Sequence, residues 1–171
     1  IRTGQQWSVY KNGPALFTFP EMKTLIKKAR IIDLDNKDFL LGDVLLEKGK
    51  ISKVSKRITL KDCQVIDAQG LYLLPGFIDI HSHIREPGRE DKESILSACL
   101  SASKGGFTTI VCMPNTQFPL DSPEAVRAFL KKSQELNLIN VLVCAALTQG
   151  RQGKALCEYG LMMREGARCF S

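Results

Sequence analysis

Two histidines separated by one residue, His81 and His83, are the side chains of this sequence best suited to chemistry, and they are its only histidines. Side chains at positions i and i+2 of a strand point to the same face, so both imidazoles could reach one ion. Zinc takes histidine nitrogen at about 2.0–2.1 Å. The spacing predicts part of a metal site, although the pair alone leaves open that these are ordinary surface or core histidines.

The same strand face carries two further polar side chains, Asp79 and Arg85. Asp79 is expected to orient an imidazole from behind, and Arg85 to hold a substrate carboxylate in a two-pronged hydrogen bond. Polar side chains on a buried strand are costly unless they have a function. The opposite, apolar face is predicted to comprise Ile78, Ile80, Ser82 and Ile84.

The elements that must position these residues follow Pro75-Gly76. Apolar runs at 77–81, 107–113, 140–147 and 167–170 predict strands, and the segments 90–104, 121–137 and 152–165 predict helices. Asp121 with Glu124 has the spacing of a capping box for the second helix. Alternating strands and helices predict a parallel α/β sheet. A doubly wound sheet and a (β/α)₈ barrel both satisfy the pattern, although no G-x-G-x-x-G follows the first strand.

Residues 22–74 have short strand-like runs instead, including a hairpin whose turn is Glu47-Lys48-Gly49. They predict a small β domain. Residues 1–21 show no clear period and are expected to be a non-native or disordered extension, with Met22 as the natural start.

Composition argues against two classes of partner. The net charge of +6 is scattered rather than gathered into a stripe, so nucleic-acid binding is not expected. No apolar run is long enough for a membrane span.

The six cysteines include no C-x-x-C pair, which favours reduced thiols in a cytoplasmic protein.

Three sequence blocks carry a family resemblance. The segment 76–88 resembles the first-strand motif of the amidohydrolase superfamily, and its part His83-Ile84-Arg85-Glu86-Pro87-Gly88 is similar to that of dihydroorotases. The second block is Gly105-Gly106-Phe107-Thr108-Thr109 with Met113-Pro114-Asn115-Thr116, and the third is Leu147-Thr148-Gln149-Gly150-Arg151. The resemblance extends from about residue 25 to the last residue.

This resemblance implies the first half of a (β/α)₈ barrel, covering 75–171, preceded by part of a small β-sandwich at 22–74. It implies one or two zinc ions with His81 and His83 as ligands, and a substrate carboxylate bound by Arg85 and Asn115. The reaction implied is the interconversion of N-carbamoyl-L-aspartate and L-dihydroorotate in pyrimidine biosynthesis. The remaining ligands and the catalytic residues are expected beyond Ser171, so the chain alone is expected to be inactive. Without the resemblance, Asn115 is equally well explained as a turn residue after Pro114.

Two alternatives remain at this point. Related hydrolases of cyclic amides, allantoinase and dihydropyrimidinase, share the paired histidines. A non-catalytic homologue that serves as a partner of aspartate carbamoyltransferase would also resemble the family, and a homo-oligomer is compatible with either reading. The continuation after His83 and the segment around Asn115 favour a substrate that carries a carboxylate.

Overall fold

A computed structural model of the chain describes residues 23–33, 36 and 38–171. These residues belong to two compact units that divide between Pro75 and Gly76. The expectation for residues 1–21 lies outside the described residues. Within the described ranges, no helix is long and apolar enough to cross a membrane.

The first unit contains one five-stranded sheet in the order β3-β2-β1-β4, with β5 also paired to β1. Its strands are β1 (Thr24–Asp33), β2 (Asp38–Glu47), β3 (Lys50–Ser55), β4 (Gln64–Asp67) and β5 (Tyr72–Leu73). The predicted hairpin is confirmed, because β2 and β3 pair antiparallel across the turn. Lys48 and Gly49 have φ values of 49° and 70°, and two successive positive φ angles suit the right-handed twist of a tight hairpin.

The second unit contains a four-stranded sheet in the order β6-β7-β8-β9, and all neighbouring pairs are parallel. Its strands are β6 (Phe77–Ser82), β7 (Phe107–Cys112), β8 (Asn140–Ala145) and β9 (Ala167–Phe170). The crossover helices are α1 (Ile95–Lys104), α2 (Pro123–Leu136) and α3 (Tyr159–Arg164). The predicted alternation of strands and helices is confirmed.

The predicted start of the first helix was wrong, because α1 begins at Ile95 rather than near residue 90. Ser94 and Ser97 form a reciprocal capping box there, in which each side chain accepts a hydrogen bond from the other residue's backbone N–H. The acids at 91 and 93 therefore precede the helix. Asp91 instead pairs with Arg89 in the loop.

The cap of α2 and the length of α3 also differ from the prediction. Ser122, not Asp121, caps α2 by accepting from the Ala125 N–H. The Asp121 carboxylate is occupied elsewhere, since it accepts from the Gly150 N–H at 2.6 Å. The third helix spans only Tyr159–Arg164, because the residues before it form a 3-10 turn and an isolated bridge between Thr148 and Leu156.

The core of the second unit lies between the sheet and the three helices, which pack on β7, β8 and β9 respectively. The spacing of Val126, Phe129, Leu130 and Ser133 predicts one buried stripe on α2, and three of them are buried while Leu130 is half-buried against the core. Burial of the apolar face of β6 was predicted wrongly. Ile78 and Ile80 are 64% and 76% exposed, because β6 is an edge strand and no described element covers them. Ile84, just beyond the strand, is buried.

All six cysteines are free thiols. Four of them are buried, whereas Cys63 is half-buried and Cys169 is exposed. Burial raises the pKa of the Cys112 thiol to about 12. That residue ends β7, directly before the segment that carries Asn115.

We expect an alkylating reagent at pH 8 to label Cys169 well before Cys112, because the reactive species is the thiolate and burial suppresses it. Peptide mapping by mass spectrometry after a time course would measure both rates in one sample. Protein unfolded in urea is the control, in which the two should react alike. Equal rates in the folded protein would contradict the burial of Cys112.

Two glycines near α3 make a matched test of packing. Gly166 has φ +112°, and a Cβ added there would lie 2.6 Å from the Leu130 Cδ1 atom, whereas nothing lies within 4 Å of a Cβ added at Gly160. We expect Gly166→Ala to lower the free energy of unfolding by about 1–3 kcal/mol. Gly160→Ala, inside the helix, should leave it unchanged or raise it by up to about 1 kcal/mol. Urea denaturation measures both, and equal effects would count against this account.

Candidate metal and anion site

The carboxyl ends of the four parallel strands lie along one edge of the second unit's sheet. His83 directly follows β6, Asn115 lies three residues after β7, and Ser171 directly follows β9. Together with the loop after β8, these ends surround an open cleft of about 580 Å³. Its lining consists of His81, His83, Met113, Pro114, Asn115, Leu147, Thr148, Arg151, Gly153 and Ser171.

The two histidines meet at the mouth of this cleft. Their Nε2 atoms are 3.2 Å apart, and their ring centroids are 4.9 Å apart. Both side chains are exposed on the cleft side. The i, i+2 spacing of the two histidines therefore brings one nitrogen of each ring to the same place, as the sequence predicts.

Asn115 fixes the proton of His83. Its Oδ1 atom lies 2.8 Å from the His83 Nδ1 atom. A carbonyl oxygen can only accept a hydrogen bond, so Nδ1 carries the proton and Nε2 keeps its lone pair. Because a ligating nitrogen must be unprotonated, this hydrogen bond prepares His83 to bind a cation through Nε2.

The geometry of the pair can be compared with that of zinc. Two nitrogens bound tetrahedrally at about 2.0–2.1 Å would lie about 3.3–3.4 Å apart, close to the 3.2 Å found here. Two imidazoles are also chemically suited to zinc. The donor set therefore fits two positions of a zinc site. Among residues 23–33, 36 and 38–171, no group of three or more potential ligands is present.

Asp79 acts on the main chain rather than on an imidazole. Its Oδ2 atom accepts from the Ser82 hydroxyl at 2.6 Å, and its Oδ1 atom accepts from the His81 backbone N–H at 3.0 Å. These bonds, the Ser82 contact first, hold the pKa of Asp79 below its usual range. The expected contact with a ring is not the one observed. Asp79 instead fixes the backbone from which His81 projects.

Arg85 is exposed and lies outside the residues that line the cleft. The next residue, Glu86, is buried. Its Oε2 atom accepts from the Ile95 N–H at 2.7 Å, at the first turn of α1. Its other oxygen pairs with the Lys132 ammonium on α2, which raises the pKa of that lysine. Glu86 therefore ties the loop after His83 to both helices.

Thr148 and Arg151 belong to the third block of resemblance but were given no role from the sequence, and both line the cleft. They lie in the loop after β8, where a 3-10 turn (Gln149–Arg151) precedes the segment predicted as the third helix. Their position after the third buried strand could have indicated them, because loops at the carboxyl ends of parallel strands build active sites.

Solved structures share this fold. An L-hydantoinase (dihydropyrimidinase) from Arthrobacter aurescens matches with a TM-score of 0.74 and 25% identity, over 86% of this chain and 32% of that one. A dihydropyrimidinase from Brevibacillus agri matches with a TM-score of 0.64 and 25% identity, over 84% and 30%. These are amidohydrolases with a TIM barrel. The predicted fold class is confirmed, and the chain comprises part of that fold.

The sequence comparisons define the family. Residues 70–171 match the family described as dihydro-orotase-like. A dihydroorotase from Aquifex aeolicus is 41% identical over 150 residues, covering 88% of this chain and 36% of the relative. One from a Sulfurihydrogenibium species is 45% identical over 148 residues, covering 86% and 35%. The chain belongs to the dihydroorotase-like family, and it spans about a third of the length of these relatives.

We expect Glu86→Ala to lower the free energy of unfolding by about 1–3 kcal/mol, because the buried Ile95 N–H then has no acceptor. Glu135→Ala, which removes an exposed carboxylate from α2, should change it by less than about 0.5 kcal/mol. Urea denaturation of both variants beside the unchanged protein gives the comparison. A loss no larger for Glu86 than for Glu135 would show that the tie contributes nothing.

Proposed function

We propose that this chain supplies the first metal ligands and part of the substrate pocket of a dihydroorotase, which interconverts L-dihydroorotate and N-carbamoyl-L-aspartate. The observation that carries the proposal is the convergence of the His81 and His83 Nε2 atoms, 3.2 Å apart, with Asn115 bonded to the second ring. The relatives named as dihydroorotases support the choice of reaction. The reaction belongs to pyrimidine biosynthesis, and we place it in the cytoplasm.

His81 and His83 would hold the zinc through their Nε2 atoms. A bound zinc supplies Lewis-acid chemistry for opening a cyclic amide. One or two ions are compatible with the proposal. We place 22–74 in a small β domain and 75–171 in the catalytic barrel.

Asn115 serves two purposes in this scheme. Its Oδ1 atom holds the His83 ring, which leaves the two N–H donors of the same amide for a substrate carboxylate. Arg85 follows on the adjacent loop as a second proposed carboxylate contact. Among the described residues its guanidinium has no ion pair or side-chain hydrogen bond.

The bonds of the reaction are those of ring hydrolysis. Water adds across an amide of dihydroorotate, the ring C–N bond breaks, the nitrogen gains one proton of the water, and the carbonyl carbon becomes a carboxyl group that releases the other proton to solvent as it ionises. The reverse direction expels water and closes the ring. The side chains described above position the ring, while its carboxylate provides the group that Asn115 and Arg85 would recognise.

A second candidate is a hydantoinase or dihydropyrimidinase, which the solved structures with those names favour. Substrates of that kind lack the ring carboxylate. The choice can be made by supplying purified full-length gene product with dihydroorotate, dihydrouracil, hydantoin and allantoin and following each by chromatography. Preferential hydrolysis of dihydroorotate supports the proposal, and preference for an uncharged ring would replace it with the second candidate.

We expect His81→Asn and His83→Asn each to lower bound zinc and to reduce dihydroorotate turnover by at least about a hundredfold, because each removes a ligand. Metal content is measured by mass spectrometry of the dialysed full-length protein, and circular dichroism verifies the fold. Asn140→Ala, a change on β8 outside the cleft lining, is the control and should retain its zinc. Full zinc content in either histidine variant would refute the ligand assignment, and an unmodified protein without zinc or turnover would favour a non-catalytic homologue.

A further inference from the structure

Arg151 is a cation of the cleft that the proposed mechanism does not use. It lines the same cleft as His81, His83 and Asn115. Its side chain is exposed. Among the described residues, its guanidinium has no ion pair and no side-chain hydrogen bond. Its hydrogen-bonding capacity is therefore available to a bound molecule.

The backbone of Arg151 adopts a conformation that arginine does not favour. Its φ is 58°, and the preceding Gly150 has the same value. Glycine adopts this left-handed region freely, whereas a residue with a long side chain does so only when its surroundings impose it. Such residues occur often at functional sites.

Hydrogen bonds on either side of Arg151 impose this conformation. Its own N–H donates to the Thr148 carbonyl at 2.9 Å, and the Gly153 N–H donates to the Thr148 hydroxyl oxygen at 3.0 Å. The Gly150 N–H donates to the Asp121 carboxylate at 2.6 Å, which connects the turn to the start of α2. The loop therefore holds Arg151 in a defined place at the edge of the cleft.

The charge of the cleft selects the kind of group that Arg151 would bind. The described residues that line the cleft include no acidic side chain. A guanidinium without a carboxylate partner, beside two imidazoles and an amide, favours an anion. The five N–H donors of arginine lie in one plane and match the two oxygens of a carboxylate.

We propose that Arg151 binds the carboxylate of the substrate from the loop after β8, the strand next to the one that precedes Asn115, and so favours cyclic amides that bear a carboxylate over uncharged ones. This rests on the proposed function and adds a substrate-binding residue to it. The loop after β8 thereby becomes a determinant of specificity in the same cleft as the histidine pair.

The test compares the binding of two rings by full-length gene product in isothermal titration calorimetry. Orotate carries the ring carboxylate, and uracil is the matching ring without it. Arg151→Asn removes the guanidinium, while asparagine tolerates the left-handed backbone, so the loop is preserved. Arg164→Gln removes the same charge from α3, outside the cleft, and is the matched control.

We expect Arg151→Asn to weaken orotate binding by about tenfold or more, as for the loss of a charged hydrogen bond, and to change uracil binding by less than about twofold. The orotate affinity of Arg151→Lys should lie between those of Arg151→Asn and the unchanged protein, because lysine keeps the positive charge but loses the planar pair of N–H donors. Arg164→Gln should bind both rings as the unchanged protein does. Matching thermal melting curves would show that the variants are folded.

Two results for the Arg151→Asn variant would overturn the role of Arg151: an orotate affinity within about twofold of the unchanged protein, or an equal loss for both rings. Absence of any preference for orotate in the unchanged protein would overturn it as well. The proposed function fails separately. A protein that hydrolyses uncharged rings but not dihydroorotate refutes that function, whereas unaltered orotate binding by Arg151→Asn in an active dihydroorotase refutes only the assignment of Arg151.

Discussion

The parallel hydrogen bonding of β6, β7, β8 and β9 is the constraint on which the site depends. Parallel neighbours require a crossover between strands, so every carboxyl end opens on the same edge and every return passes through a helix. Residues far apart in the sequence are brought together in this way. Asn115 is 32 residues from His83 along the chain, yet their side chains share a hydrogen bond of 2.8 Å. No property of either residue alone would place them in contact.

That hydrogen bond has consequences for both partners. It gives His83 the tautomer that leaves Nε2 unprotonated, and it leaves the Asn115 N–H groups free to donate. In the proposed function, this one amide would connect metal binding to substrate binding, because a ligand that displaced Asn115 would also free the His83 ring. Glu86 likewise connects the site to the rest of the unit, through its bonds to the Ile95 N–H and the Lys132 ammonium. It fixes the loop after His83 to α1 and α2, whose positions are determined by the core rather than by the cleft.

The sequence pattern predicted a feature correctly where that feature depends on a single strand or helix. The paired histidines on one strand, the alternation of strands and helices and the buried stripe of α2 all follow from periods of 2 and 3.6 residues. The prediction failed where a residue distant in the sequence determines the local structure. Asp121 has the spacing of a helix cap, but its carboxylate accepts a hydrogen bond from the Gly150 N–H, and Ser122 caps α2 instead. The start of α1 depends on Glu86 and Ser94, and residues 90–93 have helical composition without those contacts. Ile78 and Ile80 resemble core residues in sequence, and only the sheet order shows that their strand is at an edge.

Arg151 shows why the charged residues that line a cleft are harder to predict from the sequence than the histidines that could bind a metal. Histidine is rare in this sequence and its spacing is informative, whereas arginine and lysine together number 24 and most of them face solvent. Arg151 combines a left-handed backbone, which Lys28 and Lys48 also adopt elsewhere, with a place in the lining of the cleft, and this combination cannot be recognised from residue type. Among the described residues, the lining of the cleft carries a permanent cation and two imidazoles and no acidic side chain. A divalent ion held by two neutral imidazoles would keep its full charge there, so metal and arginine would act in the same direction on a substrate. In the proposed function, both would favour a ring that brings its own negative charge, and that shared preference would connect the histidine pair to the carboxylate of dihydroorotate.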